Sequence, residues 1–262
     1  MKGMFFKGNQ EYRITVEGEQ WKQGAEVKGQ LQIRSHSPGA SSDATFFVGL
    51  ARANEKKVKA KAEDAFDVLD IRESQPNAQV LEWSFQLTEK SPVSDANKSL
   101  YLIYGPQLEG RVVASGQVGA LQLKVLPHQH LEDLISVLST TFRFPVKKVG
   151  APGAAGAKGA IEVRLDPPEG RSFASTDALV VDFSFEQSAD PFEGEIQTGF
   201  CFQVRELDGF RGSTQEKKVE KRVERVLPLG DLLHRFNGRV NREYFEKVFQ
   251  NVLSEVFPSR GV

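Results

Sequence analysis

Leu121-Gln-Leu-Lys-Val-Leu-Pro-His-Gln-His-Leu-Glu-Asp-Leu-Ile-Ser-Val-Leu138 is the stretch in which the chain changes its period. Leu121, Leu123 and Val125 alternate with Gln122 and Lys124, the two-residue repeat of a half-buried strand. Beyond Pro127, Leu131, Leu134, Ile135 and Leu138 recur at helical spacing. Glu132 and Asp133 stand in the first turn, where they favour the positive end of the helix dipole. A helix over 128–140 is therefore expected, with one face buried. Strand patterns lie on both sides of it, so it reads as a junction between two β halves.

In the first half, Tyr12, Ile14 and Val16 alternate with polar residues. Val27, Leu31 and Ile33 share a face, with Gly29 marking a bulge or a close backbone approach. A Ser-, Gly- and Pro-rich loop spans 35–43. Further strands are expected at 45–52, 56–62, 66–73, 80–87, 99–104 and 118–125. The clearest is Val80-Leu-Glu-Trp-Ser-Phe-Gln-Leu87, where Leu81, Trp83, Phe85 and Leu87 take one face and Glu82, Ser84 and Gln86 the other. About eight strands is the count of an immunoglobulin-like sandwich.

In the second half, residues 161–165 read as a strand. Leu179, Val181, Phe183 and Phe185 alternate, as do Phe200, Phe202 and Val204. Residues 217–227 fit either a helix or a charged strand; the turn signal over 209–212 favours a strand. Residues 241–257 close with a wide apolar stripe, Tyr244, Phe245, Val248, Phe249, Val252, Leu253 and Val256, preceded by Asn241 as a helix cap. Burying that stripe contributes on the order of 10 kcal/mol before ordering entropy is subtracted. The fold expected is all-β (mainly β): two tandem immunoglobulin-like β-sandwiches, 1–127 and 128–262. The second carries the junction helix 128–140, a flexible Gly/Ala loop 150–159 and the terminal amphipathic helix 241–257.

A chain of 262 residues suits two domains, each able to bury its own core. Lys and Arg total 34 against 35 Asp and Glu, a net charge of -1, so no global field draws nucleic acid. The single cysteine, Cys201, between Phe200 and Phe202, reads as a small buried packing residue. No disulfide framework can form within the chain, which favours a reducing compartment. The start, Met1-Lys-Gly-Met-Phe-Phe-Lys7, is too short in apolar residues for a signal-peptide core, and no run of 18 apolar residues occurs. A soluble, cytoplasmic protein is expected.

Phe5-Phe-Lys7 followed by a strand and Gly24-Ala-Glu-Val-Lys-Gly29 resembles the opening strands of the arrestin-like sporulation-control proteins of bacteria. Leu121 to His128, running into Leu131 to Leu138 and Phe142-Arg-Phe144, is similar to the mid-chain junction of that family, and the terminal helix fits its layout. The Gly/Ala loop over 150–159 departs from the pattern, as of a divergent relative. The resemblance implies two arrestin-like sandwiches and a cytosolic regulatory or scaffolding role without a catalytic centre. It carries over no functional residue.

The residues themselves offer little chemistry. His128 and His130 are the best metal-ligating pair, yet two ligands are too few for a site, and His36 and His234 are not placed beside them. Gly153-Ala-Ala-Gly-Ala-Lys-Gly159 lacks the spacing and the Ser or Thr of a phosphate loop. Neither a nucleophile elbow nor a cysteine flanked by turn residues is present. No catalytic residue, metal or cofactor is expected. Lys57, Lys59 and Lys61 would share one face of a strand over 56–62, forming a basic row able to meet acidic peptide or lipid, or else a protective edge. In the second basic run, over 217–225, interleaved Glu220 and Glu224 weaken any anion site.

The function expected is that of a non-enzymatic module binding protein partners through sheet edges. The alternative is a peripheral membrane or vesicle adaptor, with Lys57, Lys59 and Lys61 on acidic lipid and Phe5 and Phe6 as an apolar foot. The oligomeric state is left open.

Overall fold

The computed structural model describes residues 1–36, 45–95, 99–106, 112–150, 161–170, 173–186, 192–210 and 213–258. Within it the chain divides into two compact units, Met1–Leu126 and Pro127–Val262.

In the first unit, four strands, β1 (Lys2–Lys7), β2 (Gln10–Val16), β4 (Glu26–Ser35) and β7 (Val80–Gln86), form an antiparallel sheet in the order β1-β2-β4-β7. A second sheet takes β5 (Phe46–Ala53), β6 (Phe66–Glu73), β8 (Ser99–Pro106), β9 (Val112–Val113) and β10 (Gly119–Gln122) in the order β10-β8-β5-β6-β9. β3 (Trp21–Lys22) pairs in parallel with β11 (Val125–Leu126). The alternating residues meet between the sheets: Tyr12, Ile14, Val27, Leu31, Trp83 and Phe85 of the first pack with Val48, Leu50, Leu100, Leu102 and Tyr104 of the second. Gly29 makes a close approach without a bulge. It pairs in register with Val16, and a Cβ built there would lie 2.0 Å from the Thr15 carbonyl oxygen.

The segment expected as a strand over 56–62 is instead a short helix, α1 (Glu55–Lys59). The Asn54 side chain accepts a hydrogen bond from the Lys56 amide at 2.9 Å and caps it. Lysine favours helix over strand, and Val58 is the segment's only large apolar residue, too little to hold a period-two face on a sheet. Val58 packs instead on a second apolar cluster on the other side of the five-stranded sheet, with Phe47, Ala51, Tyr101 and Ile103. The Ser115 hydroxyl donates to the Val58 carbonyl at 3.0 Å and ties the helix to the segment leading into β10.

The second unit is a five-stranded antiparallel meander of β12 (Val146–Gly150), β13 (Ile161–Leu165), β14 (Thr176–Glu186), β15 (Glu195–Phe210) and β16 (Ser213–Pro228), paired in chain order. Its helices are α2 (Gln129–Thr140), α3 (Leu229–Leu232) and α4 (Arg242–Val256). Asn241 caps α4 by accepting from the Tyr244 amide at 3.3 Å. From α4, Phe249 lies against Phe200 at 5.3 Å and Phe202 at 6.4 Å, ring centre to ring centre, and so covers the apolar face of the sheet. α2 packs against α4, burying Leu131, Leu134, Ile135, Val137 and Leu138. The Gly/Ala stretch lies outside the described residues except for Gly150, which ends β12, and the loop expected over 35–43 is described only at Ser35 and His36. Cys201 is half-buried, not in the core: alternation places it on the face opposite Phe200 and Phe202, across from Val180 and Arg222.

Candidate functional site

The residues proposed above for a basic row do not form one. On α1, Lys57 pairs with Asp64 at 2.5 Å and Lys59 with Glu55 one turn back at 2.5 Å, while Lys61 follows the helix with a left-handed φ of 53°. Asp64 is held below the usual carboxylate range, first by its hydrogen bond from Lys57. Lys56 and Lys61 are the exposed cations left on this element.

Phe5 and Phe6 are separated by the alternation of β1. Phe5 turns inward, packs on the core and lies 6.1 Å from the Tyr12 ring. Phe6 turns outward, 57 % exposed, on the same face as Met4. They cannot act as one apolar foot. Beside Phe6, across the β1/β2 pairing, is Glu11, a buried carboxylate whose partners are Arg13 and the His36 Nε2, the latter at 2.9 Å. The Arg13 hydrogen bond, followed by that of His36, lowers its pKa. Sequence reading missed this arrangement because Glu11 precedes a strand face whose apolar members are Tyr12 and Ile14.

His128 and His130 do meet, with ring centres 4.5 Å apart. His128 caps α2: its Nδ1 accepts from the His130 amide at 3.3 Å, which requires that nitrogen to be unprotonated, and its ring sits 5.1 Å from Phe185. The Nδ1 of His130 is buried without a hydrogen-bond partner among the described residues. Burial, then the neighbouring His128, pushes the His130 pKa down to about 4, so this imidazole is neutral at ordinary pH. The pair therefore belongs to the packing of the helix start. Among the described residues, no group of three or more His, Cys, Asp or Glu side chains is placed to hold a metal ion.

The polar face of the second unit's sheet is a lattice of ion pairs. Arg222 reaches Asp182 at 3.4 Å and Glu224 at 3.2 Å; Arg205 reaches Asp177 at 2.9 Å; Lys218 reaches the same aspartate at 3.5 Å. Burial raises the Asp182 pKa against the opposing pull of Arg222, and burial also raises the Cys201 thiol, which disfavours the reactive thiolate. The edge strand β16 carries charges toward the core side as well: Lys221 pairs with Glu206 at 2.8 Å, and Arg225 with Glu255 of α4. Inward-pointing charges discourage another chain from adding to an edge. No helix among the described residues is long and apolar enough to cross a membrane.

No protein-family model matches this chain, and no curated protein matches its sequence. In fold it is similar to the crystal structure of Spo0M, a sporulation control protein from Bacillus subtilis. The likeness has a TM-score of 0.57 at 11% identity and covers 95% of this chain and 99% of that one. The fold is thus mainly β and arrestin-like along nearly the whole chain.

Proposed function

We propose that this chain is a non-enzymatic regulatory or scaffolding protein that acts in the cytoplasm by binding protein partners, in a role akin to the sporulation control for which its fold neighbour is named. The observation that supports this most is the extent of the likeness, 95% of the chain against a regulatory protein. The chemistry of the surfaces agrees with it. The shifted carboxylates Glu11 and Asp64 are held by basic neighbours, and His130 is held neutral by burial at the start of α2.

Two surfaces of the first unit are offered to partners: α1 and the turn after it, with Lys56 and Lys61 beside the acid-paired Lys57 and Lys59, and the outward face of β1 with Met4 and Phe6. Affinity isolation of the full chain at native abundance, after mild cross-linking, tests the proposal. A reproducible partner is expected, and its yield should fall in Phe6→Ser or in Lys61→Glu. A partner set no different from that of an unrelated tagged β-sandwich would overturn it.

A further inference from the structure

Phe236 is 84% exposed, more than any other large apolar side chain among the described residues. It stands in the turn between α3 and α4, and that turn is tightly built. Leu233 and Val240, both buried, bridge its base. The His234 amide donates to the Arg239 carbonyl at 2.9 Å, the Gly238 amide to the His234 carbonyl at 2.8 Å, and the Arg239 amide to the Asn237 Oδ1 at 2.9 Å. Gly238, with φ of 64°, supplies the left-handed residue that closes it. The backbone therefore holds the aromatic ring out in water, where its only ring neighbour among the described residues is His234 at 5.4 Å.

The charge within the turn itself is of one sign. Residues 234–242, His-Arg-Phe-Asn-Gly-Arg-Val-Asn-Arg, contain three arginines and no acid. Arg235, Arg239 and Arg242 are exposed, and among the described residues none has an ion-pair or side-chain hydrogen-bond partner. The arginines of the β15 and β16 lattice differ: Arg205, Arg222 and Arg225 each reach an acid. Asp231 and Glu243 flank the stretch and partly offset its charge.

We propose that the 234–242 turn is an interfacial anchor for an anionic phospholipid surface. Phe236 enters the boundary between headgroups and acyl chains, and the three guanidinium groups pair with lipid phosphates while their stems lie along the apolar boundary. The turn exposes a single large apolar residue between positions 234 and 242, Phe236. It thus lacks the apolar patch that the core of a protein interface needs. A lone ring in a stretch rich in arginine suits a soft, negatively charged surface; screening of the guanidinium charges makes the attachment salt-sensitive, and the flanking acids weaken it. This proposal stands apart from the partner-binding reading and neither requires nor replaces it.

Co-sedimentation of the full chain with vesicles of phosphatidylcholine, with and without phosphatidylglycerol, tests it. Binding is expected with the anionic vesicles alone and should weaken as salt is raised. Phe236→Ser should lower the partition roughly tenfold, the loss of one apolar side chain's burial. Each of Arg235→Gln, Arg239→Gln and Arg242→Gln should lower it about fivefold. Because these side chains are exposed, the Tm should not move. Phe236→Trp should retain binding and shift its emission to the blue when anionic vesicles are added. The proposal is overturned by absence of binding, by binding that Phe236→Ser leaves unchanged, or by an unmoved Phe236→Trp emission. Capture of an acidic protein that depends on Phe236, without vesicle binding, overturns it in favour of a protein site.

Discussion

Each unit contains a five-stranded sheet, and the two sheets solve the problem of their second face in opposite ways. In the first unit, β5 and β8 are apolar on both sides: Val48, Leu50, Leu100 and Leu102 point into the sandwich, while Phe47, Ala51, Tyr101 and Ile103 form a second cluster that includes Val113 and Val118, with Val58 of α1 packed on it. In the second unit only one side of the sheet is apolar, and the other is tiled by ion pairs around Arg205, Arg222 and Asp182. A strand written as a near-continuous apolar run needs cover on both faces; a strand that alternates needs it on one. The short helix α1 adds Val58 to the cover of the outer face in the first unit.

The largest effect that distinguishes the two arrangements is expected at Phe249. In the second unit the apolar face depends on α4, and Phe249→Ala removes the ring that meets both Phe200 and Phe202. A loss of about 3–5 kcal/mol in urea unfolding is expected. Next come matched substitutions on the outward faces of the two sheets. Ile103→Ala, on the covered face of the first unit, should cost about 2–4 kcal/mol, as for a residue buried in a core. Val180→Ala, on the charged face of the second, should cost less than about 1 kcal/mol. Equal costs would erase the contrast.

A third effect is set by pH. The folded-state pKa of His130, about 4, lies below its ordinary 6.5, so between those values the unfolded chain takes up a proton that the folded chain refuses. Stability should therefore fall as pH drops from about 6.5 to about 4 and should be unaffected by this group above that window. After allowance for solvent screening, the loss is on the order of 2 kcal/mol. In His130→Gln that acid limb should flatten, which chemical unfolding at a series of pH values will show. The smallest effect is at the cover of the first unit: Asn54→Ala removes the cap of α1 and should cost about 1 kcal/mol. Faster amide hydrogen exchange across α1 would reveal it, with the strands of the second unit unchanged.

The elements legible in the sequence are those in which apolar spacing and burial agree. Trp83, Phe85 and Leu87 are all buried, as strict alternation requires, the leucines of α2 face inward as their helical spacing predicts, and in the stripe of α4 Phe245, Phe249, Val252 and Val256 are buried while Tyr244, Val248 and Leu253 are half-buried at its margins. α1 was obscured because its lysines happen to recur every second residue, a period that charged side chains satisfy without any burial to enforce it. The placement of Cys201 was hidden by its two buried neighbours, although strict alternation along β15 assigns it to the polar face. The partners of charged groups, such as Lys221 with Glu206 or Lys57 with Asp64, depend on register and loop geometry that spacing does not encode. The Phe236 turn did leave a signal: Asn237-Gly238, a turn dipeptide, directly follows an aromatic residue set between arginines.

The most direct test of the central claim, that this chain works by binding other proteins, is the mass of the native particle that contains it, measured by size separation and native mass spectrometry after gentle lysis. An assembly heavier than the chain, containing at least one different polypeptide in fixed ratio, is predicted. A chain found only by itself, or only with copies of itself, at every concentration and under every condition of growth, would contradict the account.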